Sequence, residues 1–252
     1  MKIVISPAKS LNFEQKIPFE GYSDAQFLEN ASKIQGVLKE KTPQELMDLM
    51  KISQNLADLN WSRNQNWTLP FTIKNARQAV FAFDGDVYSG LDVYSLSNDQ
   101  VKLLQKKLRI LSGLYGILKP LDLIQPYRLE MGTKLAIGKH QNLHNFWKET
   151  VTDYLNKELN DSELFINLAS AEYFAAIDPK KLKTNIITPE FKDYKNGNLK
   201  IISFFAKKAR GLMVRYIIDN QVETLEELKK FNSEGYAFDA NLSSESQLIF
   251  TR

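Results

Sequence analysis

Apolar residues along this chain come in short runs whose spacing keeps changing, and that irregularity constrains the fold more than any other feature. No run nears the roughly 18 apolar residues that a membrane-spanning helix requires. No strand–helix–strand rhythm repeats either, so a doubly wound sheet is not expected. Residues 2–6 read as a short strand ended by Ser6-Pro7. Helical spacing marks residues 24–40 through Phe27, Ile34 and Leu38. It returns over 143–159, where Leu143, Phe146, Trp147, Val151, Tyr154, Leu155 and Leu159 share one side. Thr42-Pro43-Gln44-Glu45 is a helix start in one phrase, with a cap, a first-turn proline and the acid of a capping box. Ser97 and Gln100 form a second such box before a helix over 97–108. Residues 164–167 and 186–188 are strand candidates, and Asn196-Gly197 predicts a β-hairpin near 194–205. The 252 residues suffice for a sizeable core, and neither repeat nor linker divides them. The expected architecture is α+β (mixed α/β): one compact domain over residues 1–252 with short strands.

Residue counts narrow the chemistry. With no cysteine, disulfides, thiolate nucleophiles and cysteine-ligated metals are excluded, and so is peroxide reduction by thiol chemistry. Two histidines leave little for imidazole catalysis. They stand at His140 and His144, but Gly138 precedes the first and no third ligand is nearby, so no metal site and no cofactor are predicted. The opening MKIVISPAKS carries only three consecutive apolar residues, short of a secretory signal, which predicts a cytoplasmic protein without a membrane partner.

A net charge of +3 says little; its distribution says more. Residues 203–218, SFFAKKARGLMVRYII, contain no acid. On a helical wheel Phe205, Ala209, Leu212, Met213 and Tyr216 share one arc. Lys207, Lys208, Arg210 and Arg215 lie opposite, around Gly211, with Val214 and Ile218 among them. Such a face suits a polyanion, and the glycine would let a phosphate backbone approach. Residues 101–134 hold seven bases (Lys102, Lys106, Lys107, Arg109, Lys119, Arg128, Lys134) against two acids, Asp122 and Glu130. Gly113 and Gly116 there suggest a helix-hairpin-helix-like element near 98–125, whose backbone N–H groups would grip phosphates. If the two stretches fold side by side, they form one cationic trough for a double helix. An alternative is an enzyme acting on a nucleotide, nucleobase or nucleic acid, with Lys9, Asp84, Asp86, Arg128, Glu130 and Lys134 converging in one polar pocket. Asp84 and Asp86 also suit turns and caps, and Ser170 can cap a helix that places Glu172 in its first turn.

Five phrases together, ISPAKSL (5–11), FAFDGDVYSGLD (81–92), LRILSGLYGILKPLDLIQPYRLEMGTKL (108–135), NLASAEYF (167–174) and AKKARGLMVRYII (206–218), resemble the YaaA family of bacterial peroxide stress-resistance proteins. TPQELMDLMKIS and GYAF extend the resemblance over essentially the whole chain. It implies a cytosolic stress-response protein that limits hydrogen peroxide damage, is linked to lowered free iron, and binds DNA without base specificity through a helix-hairpin-helix beside a positive cleft. It implies no established enzymatic activity, and no protein partner is known. On this chain the DNA contacts would fall to Lys106, Lys107, Arg109, Gly113, Gly116, Lys119, Arg128 and Lys134, and to Lys207, Lys208, Arg210 and Arg215.

Overall fold

The computed structural model describes residues 1–252. In chain order its strands are β1 (Lys2–Ile5), β2 (Ser10–Leu11), β3 (Arg77–Gln78), β4 (Phe83–Asp84), β5 (Leu108–Ser112), β6 (Gly116–Leu118), β7 (Leu123–Ile124), β8 (Phe165–Leu168), β9 (Ile186–Lys195), β10 (Asn198–Lys200), β11 (Ala237–Phe238) and β12 (Gln247–Thr251). The helices are α1 (Leu28–Lys39), α2 (Pro43–Met50), α3 (Gln54–Asn66), α4 (Ala79–Ala82), α5 (Asp86–Leu91), α6 (Asn98–Lys107), α7 (Leu143–Glu158), α8 (Ala171–Phe174), α9 (Ser203–Asp219) and α10 (Leu225–Leu228). Local chemistry sets several boundaries as expected. Thr42 and Glu45 close a capping box at α2, and Ser97 and Gln100 close one at α6. No helix is long and apolar enough to cross a membrane.

The fold is α+β around one mixed sheet in the order β11-β12-β9-β8-β1-β5-β6, with β10 paired to β9. Its middle is parallel: β12, β9, β8, β1 and β5 run the same way, and β6 and β11 run against them at the edges. All of β5 and β8, and three of the four residues of β1, are buried, so both faces of the sheet centre are covered. From β1 the chain builds outward to β5 and β6 on one side, then returns to β8 and β9 on the other. Strand order therefore reverses between β8 and β1. In open sheets of this kind, the crevice beyond the carboxyl ends at such a reversal is where ligands bind.

Four local expectations change. The helix-hairpin-helix-like element near 98–125 is instead helix α6 followed at once by the antiparallel hairpin β5–β6. Leu108–Ser112 is buried on both sides and pairs with β1, so burial in the sheet overrides helical continuation. Gly113 is needed because a Cβ there would overlap Leu129 O. Gly116 is needed because its φ is +71° and its face lies against Trp147. The Asn196-Gly197 hairpin forms, but its far arm stops at Lys200 and α9 begins at Ser203, so it spans 186–200 rather than 194–205. Gly211 meets protein, not phosphate: α9 packs on α5 so closely that a Cβ on Gly211 would overlap Val87 O. Gly211, Val214 and Ile218, three members of the face read as cationic, are all buried. Finally, Ser170 stands before α8 but makes no side-chain cap.

Candidate functional site

The reversal point holds a cavity of about 430 Å³. Its floor comes from the loop after β1, Ser6 to Ser10, and from Ser170 after β8. Ser6 Oγ accepts from Ser170 N at 2.9 Å, and the two hydroxyls lie 3.3 Å apart, which ties the adjoining strand ends together. One wall is the turn Asp84-Gly85-Asp86 leading into α5. Another is α8 with Glu172 and Tyr173, and a third is α9 with Lys207 and Arg210. The backbone contact of α5 with α9, where Gly90 faces Lys208 O, brings these last two cations over the cavity.

Two tyrosines complete the lining. Tyr88 is 6% exposed and donates to Ser6 O at 3.1 Å; burial pushes its phenol well above the usual range. Burial raises the Tyr173 phenol as well, with help from the nearby Glu172 and Glu130 charges. Arg210 is the exceptional cation. Burial lowers its pKa against the opposing pull of Glu190, and its guanidinium makes no hydrogen bond or ion pair with the protein. Glu172 Oε1 accepts from Gly132 N at 2.9 Å. Lys9 Nζ pairs with Glu130 Oε2 at 2.8 Å, and Glu130 Oε1 lies 3.6 Å from Arg128 Nη2. Five residues of the enzyme alternative are thus brought together: Lys9, Asp84 and Asp86 line the cavity, and Glu130 and Arg128 extend from Lys9.

Most of the other residues read as DNA contacts are engaged within the protein itself. Arg109 is 3% exposed, pairs with Glu158 at 2.6 Å and donates to the α6 carbonyl of Gln105. Lys119 reaches the same glutamate at 3.4 Å. Lys107 is buried against Glu223. Gly113 and Gly116 are buried beneath Trp147, whose Nε1 donates to Gly113 O. Lys208 pairs with Glu234 at 2.6 Å, and Arg215 with Asp219 at 2.8 Å. Lys106, Lys134 and Lys207 are exposed and have no carboxylate within 4.0 Å. No group of three or more histidine, aspartate or glutamate side chains is placed to hold a metal ion. His144 is bound to Glu172 O at 2.7 Å, whereas His140 lies outside α7 and packs on Phe146.

A profile of the family described as "Peroxide stress protein YaaA" matches residues 1–242. The chain belongs to this YaaA family. Full-length relatives named UPF0246 proteins include those of Flavobacterium johnsoniae and Flavobacterium psychrophilum, each 64% identical over 252 residues and covering 100% of both chains. The UPF0246 protein of Hahella chejuensis is 50% identical, covering 100% of this chain and 99% of its own. The family name supports a role in peroxide stress. Within this YaaA-family chain, sequence reading placed Lys9, Asp84 and Asp86 in a polar pocket and read Lys207 and Arg210 as DNA contacts; it did not read Ser6, Ser170, Tyr88 or Tyr173 as cavity residues. Ser6-Pro7 at the end of a strand was a usable signal; the pairing of β1 with β8 left none.

Proposed function

We propose that this protein serves peroxide resistance by binding a nucleotide-like anion in the β1–β8 cavity and exchanging a proton with it. The observation that carries this reading is Arg210, a partly buried guanidinium lining a cavity without a protein acceptor. A partly buried cation without an acceptor is under-satisfied, and a phosphate supplies both the missing charge and acceptors matched to the guanidinium fork. Lys207, one helical turn away, adds a second cation. Asp84, Asp86 and Glu172 give the same cavity acceptors for sugar hydroxyls or exocyclic amines, and carboxylates so placed can exchange protons with a bound substrate. Tyr88 and Tyr173 supply flat, largely apolar surface.

The test is calorimetric titration with nucleoside mono-, di- and triphosphates and with the parent nucleosides. Nucleotides should bind, nucleosides more weakly, and Arg210→Gln should lower nucleotide affinity about tenfold or more. No heat across the panel overturns the reading.

Duplex DNA held without base specificity is a second reading, favoured by exposed Lys106, Lys134 and Lys207, which no carboxylate neutralises. Each phosphate contact removed should lower the slope of log K against log salt by about 0.9. Lys106→Ala and Lys207→Ala variants with wild-type slopes would remove those residues from that reading.

A further inference from the structure

Six charged side chains line the cavity, and two of them are held by the protein. Lys9 pairs with Glu130 at 2.8 Å, and Glu172 Oε1 accepts from Gly132 N at 2.9 Å. The other four, Lys207, Arg210, Asp84 and Asp86, make no side-chain hydrogen bond or ion pair. Local roles do not account for the two aspartates. Asp84 sits in β4, paired through its backbone with Ser10, and α5 starts at Asp86 without a side-chain cap. Unlike charges sharing one concavity attract, yet neither aspartate comes within 4.0 Å of either cation.

The fold both separates these groups and sets them side by side. A Cβ on Gly211 would overlap Val87 O, and one on Gly90 would overlap Lys208 O, so α5 and α9 are locked backbone to backbone. Val87 follows Asp86 and Gly211 follows Arg210. The carboxylate wall therefore adjoins the cationic wall, and its acceptors stand next to the place a phosphate would take. In a nucleoside 5′-monophosphate the group next to the phosphate is the sugar; the base lies farther along. An ionised carboxylate only accepts hydrogen bonds, so its partner must donate. A ribose offers two adjacent O–H donors, which carboxylates bind in dinucleotide sites. A 2′-deoxyribose offers one.

We propose that Asp84 and Asp86 hold the ribose 2′,3′-diol and make the cavity selective for ribonucleotides over deoxyribonucleotides. The proposal rests on the nucleotide reading of the cavity and adds the sugar to it. A site built to accept from a hydroxyl discriminates strongly against an analogue that lacks it, because the carboxylate then loses its partner.

The experiment is calorimetric titration of the full-length protein with the four ribonucleoside 5′-monophosphates, with their 2′-deoxy counterparts and with 3′-deoxyadenosine 5′-monophosphate. Loss of either hydroxyl should weaken binding about tenfold or more. In the double variant Asp84→Ala/Asp86→Ala the ribo-to-deoxy affinity ratio should fall to within about twofold of unity. The ratio is the readout because removing acidic charge raises affinity for any anion. Equal binding of the ribo and deoxy series by the wild type overturns this inference and leaves the cavity reading standing. No heat from either series overturns both. An undiminished ratio in the double variant overturns the assignment to Asp84 and Asp86.

Discussion

Most cations of residues 101–134 and the two that α9 brings to the cavity look alike in the sequence and lead opposite lives in the structure. In the first region Lys102, Lys107, Arg109, Lys119 and Arg128 each have a carboxylate within 4.0 Å. Most of those acids come from outside the segment: Asp99, Glu158 and Glu223. In the second, Lys207 and Arg210 come from an equally basic stretch but have no such partner. Counting charge along a segment therefore measures its composition, not its field. The neutralising groups arrive through the fold, and the cations that remain free mark where an anion is wanted.

Arg109 gives this contrast its hardest test. As a groove contact it would be dispensable to folding; as placed, it is 3% exposed, bound to Glu158 and to the carbonyls that end α6. Burial raises the Glu158 carboxyl, but the hydrogen bond and charge of Arg109 outweigh it and leave the group below the usual range. Arg109→Ala should leave that carboxylate only Lys119 at 3.4 Å and the Tyr154 hydroxyl, and cost roughly 3 kcal/mol in denaturant unfolding. A loss under about 1 kcal/mol would show that the ion pair is not structural.

Asp122 sharpens the same region through pH. It is 2% exposed, accepts from Ser23 Oγ at 2.6 Å and from Lys119 N at 2.7 Å, and burial pushes its pKa up to about 6 against those hydrogen bonds. Between about pH 4 and 6 the unfolded chain has released this proton while the folded chain keeps it. Stability from this group is therefore lost as pH rises through that window. Relative to Asp122→Asn, the wild type should lose roughly 2–3 kcal/mol from pH 4 to pH 6.5, with no relative change below pH 4. Parallel stability–pH curves for the two proteins would contradict this placement.

Legibility in the sequence followed the range of the interaction. Helix starts were readable because capping boxes act over three residues, as at Thr42–Glu45 and Ser97–Gln100. The Asn196-Gly197 turn was readable for the same reason. Leu108–Ser112 was not, because it becomes a strand only by pairing with β1, more than a hundred residues earlier. Gly211 was misread because a glycine on a basic helix carries no local mark of whether a phosphate or another helix will approach it. The acidic and basic members of the cavity were visible one by one. Convergence of Lys9, Asp84 and Asp86 could be posed as an alternative, but that of Lys207 and Arg210 with them was not legible, since it depends on β8 closing against β1 and on α9 crossing α5.

Neighbouring lysines on α9 make the finest test of the contrast. Lys207 lines the cavity unpaired, and Lys208 is bound to Glu234 at 2.6 Å with both side chains about a third exposed (35% and 37%). An exposed pair of this kind contributes at most about 1 kcal/mol, and Glu234 keeps Arg252 at 3.3 Å when Lys208 is removed. Lys208→Ala should therefore lower stability by roughly 0.5 kcal/mol and leave nucleotide affinity unchanged. Lys207→Ala should do the reverse, keeping the melting temperature while weakening nucleotide binding about fivefold to tenfold, the loss of one charge-assisted contact. If both variants lose affinity equally, the effect belongs to the general field of the helix, and pairing with Glu234 has not taken Lys208 out of play.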